Sequence, residues 1–179
     1  MSNIILPPNE KKNKDITPKR FFIWGDAMSG KTFLASGFES PILISTDGNA
    51  SKVETPSVNV ENWETFVKVI NELTISNHTF KTVIIDIVDD IKLFLERYIC
   101  EKHKIKNLSD APFGKAFYDV RHFWQSLITQ LSQLNLNIIF ISYVTETQSE
   151  TNPNITTEIP SLERKFYNIT VGRCDISIK

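Results

Sequence analysis

The stretch Gly25-Asp26-Ala27-Met28-Ser29-Gly30-Lys31-Thr32 constrains this chain more than any other. It follows the apolar run "FFIW" and precedes the helix-like "KTFLASGF". Its spacing, G-x-x-x-x-G-K-T, is that of a phosphate-binding loop. Successive backbone N–H groups in such a loop form a cradle for phosphate oxygens, and the following helix adds the positive end of its dipole. Glycine at positions 25 and 30 lets the backbone turn and approach with no side chain in the way. The Lys31 ammonium is expected to reach the β- and γ-phosphates and the Thr32 hydroxyl to ligate Mg²⁺. The candidate nucleotide-binding set is therefore Gly25, Asp26, Ala27, Met28, Ser29, Gly30, Lys31, Thr32 and Phe33.

Such a loop belongs between a strand and a helix, and the rest of the chain has that alternation. Strands are expected at 20–25, 41–46, 57–60, 82–87, 137–142 and 172–178, and helices at 31–37, 89–104 and 115–134. In "ENWETFVKVINEL", Trp63, Phe66, Val67, Ile70 and Leu73 share one helical face, with Asn62 placed to cap it. Strands alternating with helices predict an α/β fold: a mostly parallel sheet with helices on both faces. At 179 residues this reads as one domain, with 1–19 a flexible polar arm and 20–179 the core. The segment 143–160, rich in Thr, Asn, Ser and Glu, reads as a long loop of the kind that is functional or mobile.

Composition removes several alternatives. No apolar run is long enough to cross a membrane, and the N-terminus lacks a signal peptide's apolar region, so a cytoplasmic location is expected. Cys100 and Cys174 show no metal spacing and read as reduced structural residues; the three scattered histidines offer no zinc site. A net charge of −1 gives no global argument for nucleic-acid binding.

A second phosphate-related signal is "KTVIIDIVDD", a buried strand that ends in Asp86. An acid so placed in P-loop proteins holds Mg²⁺, often through water, so Thr32 and Asp86 are the candidate metal residues. Asp89 and Asp90 are assigned to the N-terminus of the next helix. The residue after Asp86 is Ile87, so no Glu there can activate water. Asp47, at the end of "PILISTDGNA", is the candidate for that work if its strand neighbours that of Asp86. The alternative is a turn aspartate in an Asp-Gly pair.

The order of parts from about residue 20 onward resembles the RecA ATPase core. It is closest to the core-only RecA-like ATPases of bacteriophages, Sak-type single-strand annealing proteins also grouped as phage nucleotide-binding AAA proteins. The stretches that carry the resemblance are "IWGDAMSGKTFLA", "ILISTDGNA", "TVIIDIVDDI", "FGKAFYDVRHFW", "NIIFISYVTE" and "RKFYNITVGRCDISI". The resemblance implies an ATP- and Mg²⁺-dependent ATPase that assembles into a ring or filament and binds single-stranded DNA in recombination. It further implies a possible phage single-strand-binding protein as partner and the host cytoplasm as location. DNA-facing loops would be roughly 106–115 and 144–160, with Lys106, Phe113 and Lys115 as candidate contacts. Ser142 and Tyr143 would sense the γ-phosphate, where the family often has Gln or His. Arg164, Lys165 and Arg173 lie where a neighbouring subunit's basic residue often completes the site. Glu146, Glu150 and Glu158, with no Lys or Arg in 144–160, depart from a phosphate-binding loop. Such acidity suits a P-loop ATPase that switches a protein partner without touching DNA. A small-molecule kinase fits least, because only Arg164 and Arg173 follow Arg121 and no arginine-rich lid is present.

Overall fold

The computed structural model describes residues 19–48, 50, 53–148 and 156–179. The arm expected at 1–19 lies outside the described residues except for Lys19. In chain order the elements are β1 (Arg20–Gly25), α1 (Lys31–Ser36), β2 (Pro41–Ser45), β3 (Ser57–Asn59), α2 (Trp63–Ile75), β4 (Thr82–Asp86), α3 (Val88–His103), α4 (Lys115–Gln133), β5 (Asn137–Gln148), β6 (Thr156–Pro160), α5 (Arg164–Val171) and β7 (Ile176–Ile178). Two short 3₁₀ turns, Leu108–Asp110 and Pro112–Gly114, lead into α4.

The strands run in the order β3-β2-β4-β5-β1-β7, all parallel, and β6 pairs antiparallel with the outer half of β5. The period of two along each strand divides the core into two layers. Phe22, Ile42, Ile44, Val83, Ile85, Ile138 and Phe140 face α2, α3, α4 and α5. Phe21, Ile23, Leu43, Ile84, Ile139 and Ile141 face the other way, toward Ala35 of α1 and the loop residues Ala50, Val53 and Phe38. Both faces of the sheet are thus covered, one by four helices and one by a short helix with loops. Strands buried on both sides read as continuous apolar runs, as "TVII" and "NIIFI" do. Full burial of each Ile or Phe is worth about 1.5–3 kcal/mol.

Local signals explain the ends of elements. The Asn62 side chain accepts from the Thr65 N–H and starts α2. The chain begins β1 against two anchors: the Lys19 N–H donates to Asn137 Oδ1 at 2.8 Å, and Arg20 Nη2 donates to the Ser132 carbonyl at 2.9 Å. Among the described residues, no helix is long and apolar enough to cross a membrane.

Two expectations are corrected. The first is the loop at 143–160. Its described arms are strands: Val144–Gln148 pairs with Thr156–Pro160, Thr145 opposite Ile159 and Glu146 opposite Glu158. Alternating threonines suit a two-stranded ribbon, because β-branched side chains favour the extended backbone. The tip, 149–155, lies outside the described residues. The second is the strand at 172–178, of which only Ile176–Ile178 is extended. Residues Arg164–Val171 form α5, which places Phe166 and Thr170 on its buried side and ends at Gly172. Trp124 Nε1 donates to Thr170 Oγ1 at 3.1 Å, and the Trp124 and Phe166 rings meet edge-on at 5.5 Å. These contacts dock α5 onto α4.

Candidate nucleotide site

Four chain segments reach the same end of the sheet, the carboxyl end of its parallel strands, where ligands of open α/β sheets bind. The loop 25–32 leaves β1, and Asp47 follows β2. Asp86 closes β4, and Tyr143 stands in β5 beside Gly25. Register brings them level: Ser45 pairs with Asp86, Asp86 with Ile141, and Gly25 with Tyr143. They surround a cavity of about 550 Å³, lined by residues 27–33, Leu43, Ser45, Asp47, Val53, Asp86, Ile87 and Tyr143. A second depression of about 410 Å³, walled by Trp63, Val67, Tyr98, Phe123 and Leu127, lies on the helical face. None of the phosphate-loop residues lines it.

The loop geometry follows from its residues. Gly25 has φ 151° and Gly30 φ 87°, conformations that a side chain strains. A Cβ at Gly30 would meet nothing within 4 Å, so this glycine serves the backbone's conformation and not a tight contact. The Ser29 N–H closes a turn onto the Asp26 carbonyl, and the Leu34 N–H makes the first helical bond to Gly30. The first N–H groups of α1 have no partner within the helix. Met28, at φ 63°, leaves its side chain fully exposed at the lip.

Lys31 is buried, at 8% exposure, and its ammonium donates to the Gly25 carbonyl at 2.9 Å and to the Asp26 carbonyl. It also stands 5.4 Å from the centroid of the Tyr143 ring. Burial lowers its pKa, while Asp86, Asp26 and Asp89 pull it back up. The Thr32 hydroxyl donates to Asp86 Oδ2 at 2.6 Å. Burial holds the Asp86 carboxyl above its ordinary range, countered by the Thr32 bond and Lys31 and reinforced by Asp47 and Asp90. Asp47 accepts from the Ser45 hydroxyl at 3.0 Å. Gly48, which follows it, has φ 72°, so the Asp-Gly turn and a cavity-lining Asp47 coexist.

The residues fit a nucleotide with Mg²⁺. A glycine-framed cradle, one buried ammonium, a hydroxyl and a carboxylate in contact supply the hard oxygen donors and positive charge that group needs. Among the described residues, no group of three or more His, Cys, Asp or Glu side chains could hold a metal ion unaided.

Other expected residues are placed differently. Ser142 is fully buried, does not line the cavity, and donates to Asp89 Oδ1 at 3.1 Å. Its side chain takes the opposite face of β5 from its neighbour, so only Tyr143 reaches the phosphate side. Asp89 and Asp90 do more than end a helix. Asp89 receives Ser142 and the Tyr143 N–H, and Asp90 accepts from Thr46 Oγ1 at 2.7 Å. Sequence reading missed Thr46; its only signal was its place in "ISTDG" beside Asp47. Lys106, Phe113 and Lys115 are exposed around the 3₁₀ turns and lie outside the cavity. Phe113 has φ 55° and is fully exposed, so it is not a core residue. Lys165 pairs with Glu163 at 2.9 Å within its own chain. Cys100 and Cys174 are both free, and burial pushes the Cys174 thiol up to about 12.

Comparison with known proteins agrees with this geometry. The chain is 23% identical over 140 residues to the SPbeta prophage-derived uncharacterized protein YorG of Bacillus subtilis (strain 168). The aligned region covers 74% of this chain and 43% of that protein, so the chain spans less than half the length of its relative. Residues 17–179 match the model of a family described as an AAA domain, AAA_24. With nearly its whole length matched, the chain belongs to this family of AAA domains, which are P-loop domains of the ATPase type.

Proposed function

We propose that this chain binds ATP with Mg²⁺ and hydrolyses it, as a phage recombination protein acting on single-stranded DNA. The observation that carries the ATPase reading is the contact between Thr32 and Asp86 inside a cavity that also holds Lys31 and Asp47. Lys31 supplies charge to the phosphates. Thr32, by its hydroxyl, and Asp86, by its carboxylate, would hold the metal. Asp47 orients the attacking water, and Tyr143 covers Lys31. When bound, Mg²⁺ neutralises charge on the phosphate oxygens.

The phage setting is supported by the likeness to a prophage-derived protein. The DNA reading is supported by exposed Phe113, an aromatic ring available for base stacking, beside exposed Lys106 and Lys115. A ring or filament of copies and a phage single-strand-binding protein are the partners that go with it.

A second reading has its own observation. The described arms of the β5–β6 hairpin carry Glu146 and Glu158 and neither Lys nor Arg. Lys179 pairs with Glu158, yet the ribbon brings no basic residue of its own, which suits a protein partner better than a phosphate backbone. In that reading the chain is an ATP-driven switch or loader.

Steady-state ATP hydrolysis measured with and without single-stranded oligonucleotide tests both. Stimulation, together with salt-sensitive retention on the oligonucleotide that Phe113→Ala and Lys115→Gln weaken, supports the DNA reading. Hydrolysis that ignores DNA at low salt leaves the partner switch. No hydrolysis and no nucleotide binding defeats both.

A further inference from the structure

The first turn of α3 carries two carboxylates that reach in opposite directions across the end of β4. On one side, Thr46 Oγ1 donates to Asp90 Oδ2 at 2.7 Å, and the same oxygen accepts from the Ile87 N–H at 3.1 Å. Thr46 is fixed a third time, its N–H donating to the Asp86 carbonyl at 2.9 Å. The next residue is Asp47. On the other side, Ser142 Oγ donates to Asp89 Oδ1 at 3.1 Å and the Tyr143 N–H to Asp89 Oδ2 at 3.4 Å. Tyr143 is the residue whose ring stands by Lys31, and from it β5 leaves the parallel sheet for the hairpin with β6.

The pattern goes beyond ordinary capping, although Asp89 also accepts from its own N–H. A carboxylate that serves only its helix accepts from the helix's own first N–H groups. Here both side chains accept from neighbouring strands, β5 and the end of β2, which flank β4 on either side. β4 ends in Asp86, so the three acids form one row: Asp90 to the β2 side, Asp86 in the middle, Asp89 to the β5 side.

We propose that Asp89 and Asp90 are positioning residues: Asp90, through Thr46, sets Asp47 beside Asp86, and Asp89, through Tyr143, sets the ring beside Lys31 and the root of the hairpin. This rests on the hydrolysis reading above. Neither acid lines the cavity, so each acts through its partner and not on the substrate. The two sides are separable, since they share only the helix turn that carries them. The hairpin root and the phosphate cavity have Asp89 as a common anchor, so a nucleotide that moves Lys31 and Tyr143 acts on the hairpin through that bond.

The test uses the full chain with Asp89→Ala, Asp89→Asn, Thr46→Val and Thr46→Ser. Thr46→Val is close in shape but lacks the hydroxyl, so it opens the Asp90 side without emptying the core. Displacement of a fluorescent nucleotide by Mg·ATP gives affinity, steady-state hydrolysis gives kcat and KM, and amide exchange reports Tyr143 and Ile87. The expected result for Asp89→Ala and Thr46→Val is nucleotide affinity within about twofold of wild type and kcat down about tenfold or more, the loss of one charge-assisted bond. Exchange should rise at Tyr143 only in Asp89→Ala and at Ile87 only in Thr46→Val. Asp89→Asn and Thr46→Ser should recover most of kcat, because an amide oxygen or a hydroxyl still makes the bond. Wild-type kcat in both disruptive variants, or affinity and kcat falling together without rescue, overturns the proposal. If the wild-type chain binds ATP without hydrolysing it, the hydrolysis reading has failed. The anchoring is then judged by exchange: unchanged Tyr143 exchange in Asp89→Ala overturns it, and faster exchange upholds it.

Discussion

Thr32 Oγ1 donates a 2.6 Å hydrogen bond to Asp86 Oδ2, across 54 residues of sequence. The bond closes the phosphate loop against the end of β4 and sets a hydroxyl and a carboxylate where one Mg²⁺ can meet both. Asp86→Asn keeps an oxygen that accepts the Thr32 proton but loses the charge that holds the metal. Nucleotide affinity in Mg²⁺ should therefore fall about tenfold or more, while affinity in EDTA changes little. Titrations with and without the metal check this, and equal losses in both would remove Asp86 from the metal site.

Lys31→Ala should abolish tight nucleotide binding, weakening it at least about tenfold, the worth of one charge-assisted bond. In the structure the Lys31 stem is buried and its ammonium is held by two carbonyls. Lys31→Met, which keeps the stem, is the better control for folding. Circular dichroism should match wild type for Lys31→Met while nucleotide binding is lost.

Asp47→Asn should leave binding nearly intact and slow turnover, because Asp47 lines the cavity beside Ser45, where it would act on the attacking water and not on the phosphates. A loss of about 10²-fold in kcat with KM unchanged is the expected size for a water-orienting group. Glu146 is exposed on β5 opposite Glu158 and lies outside the cavity. Wild-type turnover in Asp47→Asn would therefore take the water-orienting role away from Asp47 without handing it to Glu146.

The ligand-free fold should carry a pH signature of Asp86. Burial raises its pKa, so the folded chain binds that proton more tightly than the unfolded chain does. Stability from such a carboxyl is full below its unfolded pKa of about 3.9 and is lost as pH rises through the folded value. Above that folded value the wild-type chain holds an ionised buried carboxylate at a cost. Asp86→Asn should melt at a higher temperature than wild type near pH 7, and the difference should shrink toward pH 4. Melting curves without Mg²⁺ or nucleotide across that range check it; a lower midpoint for Asp86→Asn at pH 7 would mean the Thr32 and Lys31 contacts outweigh burial.

The parts that sequence alone missed share a cause. The hairpin arms 144–148 and 156–160 contain almost nothing to bury, so hydrophobic periodicity is silent there, and their order comes from pairing with each other. α5 holds the β-branched run Ile169-Thr170-Val171, which locally reads as strand. It is helical because Phe166 and Thr170 dock on Trp124, a contact from a distant helix.

The sequence by itself determined the α/β class, the phosphate loop and the strand that ends in Asp86. Each is written in a window shorter than about twenty residues, where spacing and apolar runs act through local backbone geometry. Only the tertiary structure decided which acids meet which strands. Strand order places β4 between β2 and β5, and that order depends on long-range pairing that no local pattern encodes. It brings Asp47 beside Asp86, turns Ser142 inward and Tyr143 toward Lys31, and gives Asp89 and Asp90 their partners in β5 and at the end of β2.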